Sequence, residues 1–151
     1  QTCALPILLV FTNKTLHAMK FIGPPFTFGL QELSKNITIM SPFSAIAVED
    51  AVFWMGVDTF YVYSGGQTIQ LPCTVKDKVF LDFNLEERDK VVAGINSEFG
   101  EVWWFYPSAS SSENNKYVIY MIMRTYMNNK ISIVQMCFFP IIFINRSYAV
   151  K

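Results

Sequence analysis

Charge is scarce in this chain. Asp, Glu, Lys and Arg make up 16% of its 151 residues, where an average chain carries roughly 25%. Twelve basic residues cancel twelve acidic ones. Phosphate binding needs a clustered excess of Lys and Arg, so this balance argues against nucleic acid as a partner. Histidine occurs once, at His17. The three cysteines, Cys3, Cys73 and Cys137, are widely spaced and form no CxxC. Neither a disulfide framework nor a zinc site follows from them. There is no GxGxxG, P-loop, HExxH or GxSxG, so the common cofactor, nucleotide and hydrolase signatures are missing. No apolar run is long enough for a bilayer. Ile131 to Ile144 is broken by Pro140 and falls short of the roughly 18 to 20 residues a helix needs to span. The apolar start, Gln1 to Val10, has no basic segment before it and does not read as a signal peptide. No membrane partner is expected.

Apolar and aromatic residues are abundant. The chain is 52% hydrophobic and contains fourteen Phe, seven Tyr and three Trp. This composition excludes intrinsic disorder, and so many aromatics favour strands over a helical bundle. A neutral, aromatic-rich, charge-poor chain should be poorly soluble alone.

The two ends differ from the middle. The chain opens on Gln1 rather than Met, which reads as a fragment. Gln1-Thr2-Cys3-Ala4-Leu5-Pro6-Ile7 is similar to the translation of a sequencing-library adapter; an ordinary loop is the alternative. After Lys116 there is no Asp or Glu, and Met121, Met123, Met127 and Met136 crowd together. Shifting the frame by one base after Tyr120 gives most simply Tyr-Asp-Tyr-Glu-Asn, a polar and aromatic continuation. Residues 121–151 are therefore expected to be an out-of-frame translation, with a genuine apolar strand pair as the alternative. Residues 8–120 remain as the credible domain.

Within that stretch the pattern is of short strands. Leu8–Phe11, Thr15–Phe21, Ile37–Met40, Ala45–Val48, Ala51–Met55, Thr59–Tyr63, Thr68–Leu71, Val91–Ile95, Glu101–Tyr106 and Tyr117–Tyr120 are apolar or alternating runs bounded by turn residues. Gly56-Val57-Asp58 and Ser64-Gly65-Gly66 supply turns. At most one short helix is expected, near 85–91, with Asn84 as its cap. Phe11, Phe53 and Trp104 recur in comparable strands at intervals of roughly 40 to 50 residues, the period of a propeller blade. The expected fold is all-β, antiparallel hairpins forming part of a β-propeller-like structure, with a β-sandwich as the alternative.

Catalytic chemistry finds little support. His17 lies mid-strand, where a packed or surface histidine is the plainer reading than a general base. Cys73 has no sequence-near partner. Asp77, Asp82, Glu86, Glu87 and Asp89 are interleaved with Lys76, Lys78, Arg88 and Lys90, which reads as a solvated, self-paired surface rather than a calcium or glycosidase site. No catalytic residue, metal or cofactor is expected. Two aromatic tracts stand out as packing or interface candidates. One is Phe21-Ile22-Gly23-Pro24-Pro25-Phe26-Thr27-Phe28-Gly29, a rigid loop; the other is Trp103-Trp104-Phe105-Tyr106, with Trp54 as a further candidate. Alternation sends Trp103 and Phe105 to one side of a strand and Trp104 and Tyr106 to the other. Both sides must then be covered or bind something, a sugar being one option.

Leu16-His17-Ala18-Met19, the Phe21–Gly29 tract, Val52-Phe53-Trp54-Met55-Gly56, Phe60-Tyr61-Val62-Tyr63, Leu71-Pro72-Cys73-Thr74-Val75, Glu101-Val102-Trp103-Trp104-Phe105-Tyr106-Pro107 and Glu113-Asn114-Asn115-Lys116-Tyr117-Val118 together resemble a tailed-bacteriophage structural protein family. That family is similar to the tail stabilisation or hub proteins of short-tailed phages, and the chain looks like a metagenomic fragment of such a protein. The resemblance covers about Leu8 to Tyr120. It implies a virion structural protein of the tail, assembled in the host cytoplasm, whose partners are other tail or portal-proximal proteins. It implies no enzyme activity and carries no catalytic residues over. A carbohydrate-binding or host-recognition module is the alternative.

Overall fold

The computed structural model describes residues 8–127 and 130–138, with side chains through Ile122. The chain folds as three consecutive antiparallel sheets, each a simple up-and-down meander. The first contains β1 (Leu8–Phe11), β2 (Thr15–Phe21) and β3 (Phe28–Lys35). The middle sheet contains β4 (Ala45–Val48), β5 (Ala51–Met55), β6 (Phe60–Ser64) and β7 (Gln67–Leu71). After α1 (Lys76–Leu81) and a 3-10 turn at Leu85–Lys90, the third sheet contains β8 (Val92–Asn96), β9 (Glu101–Pro107), β10 (Asn114–Met127) and β11 (Lys130–Phe138). The protein is all-β in character, and its sheets are open.

Hairpin chemistry sets the order. β6 and β7 are joined through Gly65 and Gly66, both at positive φ (58° and 86°). A two-residue turn with both central residues left-handed matches the twist of the flanking strands, and glycine takes that conformation without a Cβ clash. β4 and β5 turn tightly through Glu49 and Asp50.

The middle sheet is covered on both faces, and strict alternation sorts its side chains. Phe53, Met55, Phe60 and Val62 point to the third sheet and join its Val102, Trp104, Tyr106, Val118 and Tyr120 in the larger core. Trp54 and Tyr61 point the other way and meet Leu16 of the first sheet, with Leu9, Phe11 and Val52 around them. A sheet buried on two sides needs apolar residues at successive positions, which is why Val52-Phe53-Trp54-Met55 and Phe60-Tyr61-Val62-Tyr63 read as continuous apolar runs.

Three expectations are corrected. Ile37–Met40 is not a strand. Ile37 and Met40 are buried, but the backbone runs as a connector, with the Ile37 amide donating to the Lys14 carbonyl (3.2 Å) and the Met40 amide to the Met55 carbonyl (2.9 Å). Its apolar character comes from filling the gap between two sheets. Conversely, the Phe21–Gly29 tract is not wholly a loop. β2 ends at Phe21 and β3 begins at Phe28, and the two residues pair across the hairpin. β3 has a largely exposed, polar sequence (FGLQELSK), so its alternation is faint. Finally, the helical content is two short pieces rather than one. Asn84 caps the 3-10 turn, its side chain accepting from the Glu86 amide. α1 precedes it and anchors through buried Val79; six residues are too few for a helical period to stand out.

The expected adapter stretch, residues 1–7, lies outside the described residues, as do 128–129 and 139–151 of the expected out-of-frame stretch. The described part of the latter continues β10 to Met127 and pairs it with β11.

Candidate functional site

The candidate residues fall into three places. Trp54, Trp104 and Tyr106 are interior. Trp54 stacks on Tyr61 (centroids 5.3 Å apart, 17° between planes) and takes the ring of Phe11 edge-on at 5.1 Å. Its indole N–H donates to the Thr38 carbonyl at 3.0 Å. Trp104 lies 4.9 Å from Phe60, and its N–H donates to the Ser44 carbonyl at 2.9 Å. Tyr106 stacks on Phe83 at 5.9 Å. These three rings hold sheets together and present nothing to a ligand.

Trp103 and Phe105 lie on the opposite face of β9, as alternation requires. They form a cluster with Tyr117 of β10: Trp103 stacks on Tyr117 at 5.0 Å and 15°, while Phe105 lies 6.0 Å from each. Glu101 fixes the cluster's margin, accepting from the Trp103 indole N–H (3.0 Å) and the Asn96 amide (3.3 Å). Phe105 is 38% exposed and Val92 beside it 42%. This is an apolar face on the third sheet that no other described sheet covers.

Phe21, Pro24, Pro25, Phe26 and Phe28 lie at the far end of the molecule. The Pro24–Pro25 peptide is cis, and the Ile22 amide closes the turn on the Thr27 carbonyl. Phe21 and Phe28 meet edge to face at 5.9 Å, and Phe26 is exposed. The register places Leu8, Met19 and Leu30 in one row, on the same face as the Phe21–Phe28 pair. A second open apolar face therefore lies on the outside of the first sheet.

Tyr117, Leu8, Met19 and Leu30 were absent from the sequence-derived candidates. Pairing Glu101–Tyr106 with Tyr117–Tyr120 would have located Tyr117, because cross-strand neighbours share a face. Leu8 and Met19 face each other across the anticipated β1–β2 hairpin, whereas Leu30 required the unanticipated β3.

Elsewhere the chemistry is sparse. His17 accepts from or donates to the Thr15 hydroxyl at 2.8 Å. Cys73 is half-buried against the larger core. Lys90 reaches Glu87 and Glu113, both at 3.2 Å, and hydrogen bonds to Glu113 and then Glu87 raise its pKa. Lys116 pairs with Asp82. All are surface pairs; Lys90–Glu87 lies within the interleaved charges, whereas Glu113 and Lys116 bring partners from outside them. A cleft of about 630 Å³ between the connector and the 3-10 turn is lined by Phe11, Thr38, Met40, Arg88 and Asp89 among others. No group of three or more His, Cys, Asp or Glu is arranged to hold a metal among the described residues, and no helix among them is long and apolar enough to cross a membrane. No family model and no curated protein matches the sequence.

Proposed function

We propose that the protein is a virion structural component of a bacteriophage tail, acting by subunit assembly and not by catalysis. Its three meanders are then consecutive blades of a β-propeller-like body, built as a stabilisation or hub element. The observation that carries this reading is the stack itself: three sheets in series, the middle one covered on both sides, with an apolar face at each end that no described residue covers. Such faces suit a part that is completed by neighbours. The sequence resemblance to short-tailed phage tail proteins supplies the setting.

A sugar-binding role draws less support. Carbohydrate platforms offer ring faces to the ligand, whereas Trp103 and Tyr117 turn theirs onto each other.

Proteomics of the virus-particle fraction from the source community tests the proposal. Peptides from residues 8–120 should band with intact tailed particles in a density gradient. Their recovery only from soluble, particle-free fractions would overturn it.

A further inference from the structure

The middle and third sheets repeat one construction, and the repeat reveals what the open face of the third sheet is for. In the middle sheet Ala45 of β4 pairs with Trp54 of β5. In the third, Ala93 of β8 pairs with Trp104 of β9. Each tryptophan faces the preceding sheet. Aligning the two hairpins on these pairs sets Phe53 against Trp103 and Met55 against Phe105. The next strand follows in step: Phe60, paired with Met55, matches Tyr117, paired with Phe105, and Val62 matches Ile119. In the middle sheet all four positions are buried, and the third sheet is what covers them. In the third sheet the same four positions, Trp103, Phe105, Tyr117 and Ile119, are half-buried or exposed, and the first three form the aromatic cluster.

Every junction in the stack is therefore directional: the forward face of one sheet receives the backward face of the next. The first sheet has its forward face, with Leu16, on the middle sheet. Its backward face carries Leu8, Met19, Leu30 and the Phe21–Phe28 pair, and is open. Among the described residues, therefore, an unfilled forward face lies at one end of the stack and an unfilled backward face at the other.

We propose that the forward face of the third sheet receives the backward face of the first sheet of a second copy, so that copies associate head to tail through the same kind of junction found twice inside each chain. Charge does not oppose this. On the backward face Glu32, in the row of His17, pairs with Lys35 at 3.4 Å, and the acid beside the forward cluster, Glu101, is already hydrogen-bonded at its margin. A junction between two different faces is heterologous, so copies form a ring where the rotation closes and a longer series where it does not. This does not depend on the tail reading, because it concerns the isolated chain.

The test is the mass of the purified chain in solution by analytical ultracentrifugation across a concentration series. The wild type should rise above monomer mass as concentration increases. Trp103→Glu spoils only the forward face and Phe28→Glu only the backward face, so each variant alone should remain a monomer. Mixed in equal amounts, they should form a dimer and nothing larger, since one intact face of each kind remains. Circular dichroism confirms that each variant is folded, and Phe105→Lys replaces Trp103→Glu should the latter fail. A monomeric wild type throughout the series overturns the proposal. So does a single-face variant that still associates, which indicates a symmetric junction, or a mixture that stays monomeric.

Discussion

The two junctions inside the chain share a plan and differ in strength. Between the first and middle sheets, the buried side chains of the core are Leu16, Ile37, Trp54 and Tyr61. The polar links there run through the Asn36–Met40 connector, such as the Trp54 indole on the Thr38 carbonyl. Between the middle and third sheets the core is far larger, and residues 41–44, the last part of the same connector, join the middle sheet to the third through a polar seam. The Ser41 hydroxyl donates to the Val91 carbonyl (2.6 Å), the Ala93 amide to the Phe43 carbonyl (2.8 Å), and the Trp104 indole to the Ser44 carbonyl (2.9 Å). Repeating a hairpin therefore does not repeat its stability: connector and seam decide it. The first sheet should therefore open before the other two.

Substituting the paired tryptophans gives the sharpest test of that difference. Removal of a buried Trp side chain costs about 3–5 kcal/mol. Trp104→Ala should fall at the upper end, because its ring is packed into the larger core; each substitution also removes one indole donor, from the Ser44 carbonyl, which keeps the Met55 amide, or from the Thr38 carbonyl. Trp54→Ala should fall near about 3 kcal/mol, since the first sheet can re-settle on the cavity. Urea unfolding measures both. Native-state hydrogen exchange should show β1–β3 amides exchanging through an opening that leaves β5, β6 and β9 protected. Equal costs and a single shared exchange energy would show the two junctions to be equivalent.

A smaller effect is expected at Gly56, where the connector presses on the middle sheet. A Cβ there would lie 2.6 Å from the Tyr61 ring and 2.8 Å from the Thr38 hydroxyl. Both groups are held, so Gly56→Ala should cost about 1–3 kcal/mol through overpacking. The loss should weaken protection of the first sheet more than of the third. Ser41→Ala acts on the other junction. It removes a buried hydroxyl from the seam and leaves the Val91 carbonyl without that partner, for about 1–2 kcal/mol in thermal or urea unfolding. Here the third sheet should lose protection first.

Much of the strand plan was legible because turns punctuate it. Gly65-Gly66, the Gly56–Asp58 turn and the Ser-rich segment after Pro107 bracket runs whose pairings the structure contains. What sequence obscured follows from packing. Ile37–Met40 shows the residues of a strand but lies where two sheets need a filler. β3 is a strand by its ladder with β2 and not by its own composition. The candidate aromatics were visible, and alternation separated Trp103 from Trp104. Which of the two faces was covered depended on sheet order, and a strand pattern does not encode that. Nor could the seam be foreseen, since Ser41 and Val91 lie far apart in sequence and meet only in the stack.

The smallest expected effect concerns one hydroxyl in the stronger junction. Tyr106 is fully buried, and its hydroxyl has no hydrogen-bond partner among the described residues. Burial, and secondarily the negative charge of Asp82, pushes its pKa well above the usual tyrosine value. Below about pH 10 the tyrosine is protonated in folded and unfolded chains alike, so it adds no pH dependence. Above that, the unfolded chain releases the proton while the folded one retains it. Stability should then fall with rising pH, at up to about 1.4 kcal/mol per unit from this group. Tyr106→Phe keeps the ring on Phe83 and removes the hydroxyl, so at neutral pH it should be neutral or stabilising by up to about 1 kcal/mol. Its decline above pH 10 should be shallower than the wild type's. It should not vanish, because burial and then Asp58 also raise the pKa of Tyr61 at the weaker junction, against a lowering hydrogen bond with Thr38. Urea unfolding at neutral pH and at several values above 10 reads both effects. A cost above about 1 kcal/mol at neutral pH would mean that the Tyr106 hydroxyl makes a stabilising bond. The stronger junction would then owe part of its advantage to a polar contact at Tyr106, in addition to the seam at Ser41, Phe43 and Ser44.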